Sequence, residues 1–144
     1  MKDMNDMNQE DQAVVKAYEA LRHRRGLAVL DSMGAGEHPK LRDMDEQFWR
    51  ITVGQLFGEL FTRPGLSLRD RELITMASLI ALFRIDALDL HLRAAPSVGI
   101  SDEEIRELIL QVTFYAGWAT GAYALQKHKA VRAEMAANDA PEAN

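Results

Sequence analysis

Residues 66–125 read LSLRDRELITMASLIALFRIDALDLHLRAAPSVGISDEEIRELILQVTFYAGWATGAYAL, and this stretch decides the fold. Ser67 opens a helix, because its hydroxyl can accept from the backbone N–H of Asp70, and Asp70 itself favours the positive helix N-terminus. From Leu73 to Phe83 the helix is apolar on nearly every side, which predicts a buried central helix. Arg84-Ile85-Asp86 marks a short corner without glycine or proline. A further helix runs from Asp86 to about Ala95, with Pro96 at its end and Gly99 closing it. Ser101-Asp102-Glu103-Glu104 is a capping box. The helix it starts places Ile105, Leu108, Ile109, Val112 and Tyr115 on one face. Gly117 and Gly121 flank Trp118, so the chain can bend or pack closely there before a last helix to about Met135.

Upstream, Ala13 to about Leu30 is predicted helical, with Val14, Tyr18, Leu21 and Val29 as its buried side. Gly34, Gly36 and Pro39 break the chain into a loop that holds His38, expected at the surface. Leu41 to Phe61 is predicted as a second helix, with Val53, Leu56, Phe57 and Leu60 recurring on one face. Pro64-Gly65 stops it. No segment alternates with a period of two between turn residues, so no sheet is expected. The expectation is an all-α, single-domain bundle of about six helices over 13–135, with flexible tails at 1–12 and 136–144.

A chain of 144 residues can build a real core, and its 47% apolar content is that of an ordinary globular protein. The net charge of −5 argues against nucleic acid or an anionic membrane as a partner. Arg22-His23-Arg24-Arg25 is best read as a solvated helix face. The sequence has no cysteine, which excludes disulfides, thiolate metal sites and thiol catalysis. The start, MKDMNDMNQEDQ, lacks the apolar core of a signal peptide, and no apolar run reaches membrane-span length. A cytoplasmic protein is expected.

Two proton-handling residues stand on apolar faces. Leu88 and Ala95 share the face of His91. Met76, Leu79, Ile80 and Phe83 follow Glu72 at helical spacing, and a carboxylate in such surroundings costs free energy unless it is paired. Taken singly, each is better explained as a structural residue: a satisfied core histidine, and an acid in a first helical turn. They are 19 residues apart on two helices joined by a short corner, so an antiparallel packing permits contact. A Glu–His pair in an apolar pocket can serve as a general acid or base. Asp89 and Arg93 form an i,i+4 pair expected at the surface. Arg69 and Arg71 are surface residues or binders of a substrate carboxylate. His128 is expected to be exposed. The four histidines show no metal-ligand spacing, and no P-loop, HExxH, GxSxG or dinucleotide fingerprint is present.

The stretches Arg69-Asp70-Arg71-Glu72-Leu73-Ile74, Leu90-His91-Leu92-Arg93-Ala94-Ala95, Gly99-Ile100-Ser101, Glu103-Glu104-Ile105-Arg106-Glu107 and Tyr115-Ala116-Gly117 together resemble the carboxymuconolactone decarboxylase family. Arg25-Gly26 and the segment from Trp49 to Gly65 are similar too, so the resemblance spans roughly 13–135. It implies an all-helical fold assembled as a homo-oligomer, usually a hexamer built from dimers or trimers. One branch of the family, a thiol-dependent peroxidase partner, carries CxxCxxxH. Here Arg84 and Ala87 hold the two cysteine positions and only His91 remains, so thiol chemistry is excluded. The proton-relay glutamate of that branch falls on Glu72. The decarboxylase branch often has an acid at position 87 and proline at 119, where this chain has Ala87 and Ala119. It also has Pro96, where the family usually has no proline.

The resemblance implies a cofactor-independent decarboxylase acting on a small-molecule carboxylic acid, a 4-carboxymuconolactone-like lactone of aromatic catabolism. His91 would be proton donor or oxyanion stabiliser, and Glu72 would orient it or relay its proton. Arg84 or Arg71 would bind a carboxylate, and Tyr115 and Trp118 would line the pocket. No metal is expected. The alternatives are a tailoring enzyme of secondary metabolism on the same scaffold, motivated by Ala87 and Ala119, and a non-catalytic oligomeric binding protein.

Overall fold

A computed structural model describes residues 7–36, 43 and 45–138. His38 and the predicted start of the second helix at Leu41 lie outside them. The described residues contain six α-helices and no strand, as the helical periodicities require. They fall into two compact units, one within 1–32 and 36–64, the other within 33–35 and 65–144.

Unit one pairs α1 (Gln9–Ser32) with α2 (Glu46–Ile51), which continues as a π-helix over Thr52–Leu60. Helix α1 begins four residues before the predicted Ala13, and Asn8 Oδ1 accepts from Asp11 N at 2.8 Å in its first turn. The two helices cross backbone to backbone. A Cβ on Gly26 would lie 2.0 Å from the Val53 carbonyl oxygen, and one on Gly58 would lie 1.8 Å from that of Arg22. This crossing buries Gly26, Gly54 and Gly58 and leaves most of the predicted buried side of α1 outside: Val14, Tyr18 and Leu21 are exposed, and Val29 is half-buried.

The π-turns explain a second difference. The i→i−5 bond from Phe61 N to Leu56 O widens the helix, so residues four apart stay in register while residues three apart drift. Val53, Phe57 and Phe61 are buried, and the Phe57 and Phe61 rings lie 5.2 Å apart, whereas Leu56 and Leu60 are exposed.

Unit two contains α3 (Leu68–Ala81), α4 (Ile85–Ala94), a 3₁₀ turn (Ala95–Val98), α5 (Asp102–Ala116) and α6 (Trp118–Asn138). Ser67 caps α3 through Asp70 N, and the full capping box at Ser101 and Glu104 starts α5, both as predicted. The core joins Met76 and Ile80 of α3, Leu88 and Leu92 of α4, Ile105 and Ile109 of α5, and Ala124 and Val131 of α6. Helix α3 is less enveloped than its composition predicts, since Ile74 is half exposed.

The α3–α4 corner turns without glycine. Phe83 takes the left-handed conformation at φ 54°, while Phe83 N bonds Ile80 O and Arg84 N bonds Leu79 O. That is a Schellman closure with phenylalanine where glycine is usual, at a cost of about 1–2 kcal/mol. The Phe83 ring packs edge-on against Tyr123 at 5.4 Å. The reversal lays α4 back along α3, and so sets the residue near the start of α3 beside one near the end of α4.

Candidate active site

Glu72 belongs to the second turn of α3, and His91 to the last turn of α4. His91 Nδ1 lies 2.8 Å from Glu72 Oε2. The two members differ in access. The Glu72 side chain is fully buried, while 11% of the His91 side chain remains exposed, so a substrate can reach only the imidazole. The second carboxylate oxygen, Glu72 Oε1, is buried with no hydrogen-bond partner among the described residues. An ionised carboxylate only accepts, so toward it Nδ1 is the donor, and Nε2 is the ring nitrogen that the pair does not engage.

The neighbouring turn is tied down. Arg69, one helical turn before Glu72, donates from Nε to Gly99 O at 3.2 Å and pairs through Nη2 with Glu104. Glu104 Oε2 also accepts from Ser101 N at 2.9 Å. The Ser101 backbone N–H and then the Arg69 guanidinium hold the Glu104 carboxyl below its ordinary range. The start of α3, and with it Glu72, is thereby bolted to the start of α5. Arg69 is thus a clamp between these helices, a role that the sequence reading of a surface residue or a binder of a substrate carboxylate did not include.

The other sequence candidates are placed less tightly. Arg71 is half-buried beside Glu72 in the chain, and Arg84 is an exposed residue at the N-cap of α4. Tyr115 and Trp118, on either side of Gly117, are 84% and 75% exposed. Asp89 bonds Arg93 Nε at 2.7 Å as expected for the i,i+4 pair, but it is largely buried and shared with Lys127 Nζ at 3.1 Å, joining α4 to α6.

His128 corrects an expectation. It is buried, 3% exposed, with Nε2 3.2 Å from Asp102 Oδ1. Arg132 bonds the same oxygen. The stripe Gly121, Ala124, His128, Val131 is the buried face of α6, and its three- and four-residue spacing is the signal that places His128 inside. Burial pushes the Asp102 carboxyl up, but the hydrogen bond from His128 and the charge of Arg132 outweigh it and hold it below its ordinary value. Among the described residues no group of three or more His, Cys, Asp or Glu side chains is arranged to hold a metal ion, and no helix is long and apolar enough to cross a membrane.

The model of the carboxymuconolactone decarboxylase family matches residues 49–129, which include both members of the pair. The chain belongs to this family. It is 37% identical over 101 residues to a 4-carboxymuconolactone decarboxylase of Acinetobacter baylyi, a match covering 67% of this chain and 75% of that protein. It is 36% identical over 61 residues to a nitrosuccinic acid decarboxylase of Metarhizium robertsii, covering 42% of this chain and 43% of the relative.

Proposed function

We propose that this chain is a decarboxylase of a small carboxylic acid, working without a cofactor, with 4-carboxymuconolactone or a close analogue as substrate and His91 as proton donor. The observation that carries this reading is the 2.8 Å contact between His91 Nδ1 and a fully buried Glu72. The pair leaves one imidazole nitrogen, Nε2, to face a bound acid.

The chemistry needs little more. In a carboxymuconolactone the carbon bearing the carboxylate is a saturated ring carbon next to the C=C that is conjugated to the lactone carbonyl. The C–C bond to the carboxylate breaks, carbon dioxide leaves, and the electron pair delocalises onto the carbonyl oxygen as a dienolate. One proton must then reach carbon. For Nε2 of His91 to deliver it the ring must carry a proton on each nitrogen, Nδ1–H donating to the Glu72 carboxylate and Nε2–H facing the substrate. After transfer the ring is neutral with its proton on Nδ1, and solvent returns a proton to Nε2. Arg71 or Arg84 would hold a substrate carboxylate. Tyr115 and Trp118 would close the pocket once covered. Their exposure, with that of Phe114 at 79%, supports a homo-oligomer in which a second copy lies on the α5–α6 junction. Light scattering on the purified chain checks the assembly.

A second acid is favoured by the fungal relative, whose name points to a nitro-bearing substrate. Decarboxylation beside a nitro group follows the same course, the nitro oxygens taking the electron pair, so the same histidine serves. This version fits the tailoring-enzyme alternative. The test is carbon dioxide release from 4-carboxymuconolactone and from nitrosuccinate by the native chain and by His91→Ala. Release by the native chain and its loss in the variant is expected. Equal turnover by both proteins removes His91 from the mechanism.

A further inference from the structure

Unit one carries a groove that this decarboxylation does not use. It encloses about 630 Å³ between α1 and α2, a volume in the usual range of small-molecule sites. Its origin is the backbone crossing of the two helices. They meet tightly at Gly26 and Gly58, and the groove opens beside that crossing. There Gly54 presents no side chain, and a Cβ on it would already lie 3.5 Å from Arg22 Nε. Part of the wall is π-helical, a conformation that often accompanies function.

The charges on the wall do not cancel. Arg22 is committed to Glu59 at 3.3 Å and to Glu19 at 4.0 Å. Lys16 on α1 and Arg50 on α2 remain, both exposed and neither in an ion pair among the described residues, so the lining holds the bases Lys16, Arg22 and Arg50 against the acids Glu19 and Glu46. In a chain of net charge −5 the lining itself thus carries one more base than acids. Trp49 offers a half-buried flat surface between them. His23 on the same wall has a buried Nδ1 with no hydrogen-bond partner among the described residues, an unmet demand of the kind native interiors rarely keep.

We propose that this groove binds a small organic anion, a carboxylate on a flat apolar body, with Lys16 and Arg50 holding the charge and Trp49 the ring. Two cations from facing helices and one aromatic wall are the elements such a ligand needs. The site is separate from the Glu72–His91 pair in its residues, so its test does not depend on decarboxylation.

The experiment uses the full chain with Trp118→Phe, which leaves Trp49 as the remaining tryptophan. Its fluorescence is titrated with benzoate, benzamide and benzylamine, three ligands with one ring and different charge. A saturable change with benzoate is expected, with the other two binding at least about ten-fold more weakly. Adding Lys16→Met and Arg50→Met weakens benzoate by about ten-fold or more, and His91→Ala leaves it unchanged. Circular dichroism checks the fold, and Lys16→Met alone, at an exposed position, repeats the measurement if the combined variant does not fold. No saturable change, or equal binding of benzamide, overturns the proposal. Loss of the benzoate signal in His91→Ala overturns it as well, by placing the ligand at the catalytic pair.

Discussion

Unit two holds two histidine–carboxylate pairs, and each is the other turned inside out. In the pair of α3 and α4, Glu72 is sealed and His91 keeps an exposed edge, 0% against 11%. In the pair of α5 and α6, His128 is sealed at 3% and Asp102 stands 46% exposed. The difference decides what each can do. A ring whose carboxylate lies behind it presents a nitrogen to a ligand. A ring buried behind its carboxylate presents none, and Arg132 already answers the carboxylate's charge. On the proposed function the same two residue types give a reacting pair in one place and a strut in the other, separated by orientation and not by composition.

The largest expected effect breaks that contrast most directly. His91→Ala should cut carbon dioxide release by about 10²–10⁴-fold, the usual worth of a positioned proton donor. His128→Ala should leave turnover per folded molecule near that of the native chain. Comparable loss of turnover in both would mean that the orientation of the pair does not matter. His91→Ala also leaves the Glu72 carboxylate buried with no partner on either oxygen, which should cost about 3–5 kcal/mol in denaturant unfolding.

Glu72→Gln comes next. The amide keeps the shape and removes the buried charge, so the stability change should be about 1–3 kcal/mol, less than for His91→Ala. Activity should fall even in the folded variant, because an amide can donate to Nδ1 as well as accept from it, and its lack of charge no longer favours a doubly protonated ring. An unchanged turnover in Glu72→Gln would reduce Glu72 to a packing residue.

Much of unit two was legible in the sequence because its signals are local. Ser67 with Asp70 and Ser101 with Glu104 name helix starts within four residues, and Ile105 and Ile109 mark a face at the ordinary helical period. Glu72 and His91 were legible as polar residues on apolar faces. Their contact was permitted, not dictated, because it depends on how the Phe83 corner turns without the glycine that usually marks such a closure. His128 was misread because its own turn is polar, although it stands on the buried stripe Gly121, Ala124, His128 and Val131; its partner Asp102 lies 26 residues away and carries no local signal. In unit one the period itself changes. The π-turns of Thr52–Leu60 put Val53 and Phe57 inside and Leu56 and Leu60 outside, and Gly26 and Gly58 replace side-chain interdigitation with backbone contact. An apolar stripe read at 3.6 residues per turn cannot report either.

The smallest effect belongs to the strut and sharpens the contrast by its pH dependence. Asp102→Asn keeps a polar side chain at a half-exposed site, so at neutral pH it should lower stability by only about 1 kcal/mol and leave turnover alone. The sign of the pH effect follows from the direction of the shift. The Asp102 carboxyl sits lower in the folded chain than its ordinary 3.8, and Glu104 lower than its ordinary 4.5. Both therefore bind protons more readily when unfolded. Their contribution is complete above those ordinary values and drains away as the pH falls through the folded ones. The native chain should lose stability on acidification below about pH 4.5, the part due to Asp102 appearing below about pH 4. Once Asp102 is protonated in the native chain, the distinction from asparagine shrinks, so the stability curves of the two proteins should converge in acid and run parallel near neutrality. Urea midpoints across that range give the answer. Curves that stay parallel down to pH 3 would show that the Asp102 charge does nothing for the fold, and the α5–α6 strut would then rest on the burial of His128 alone.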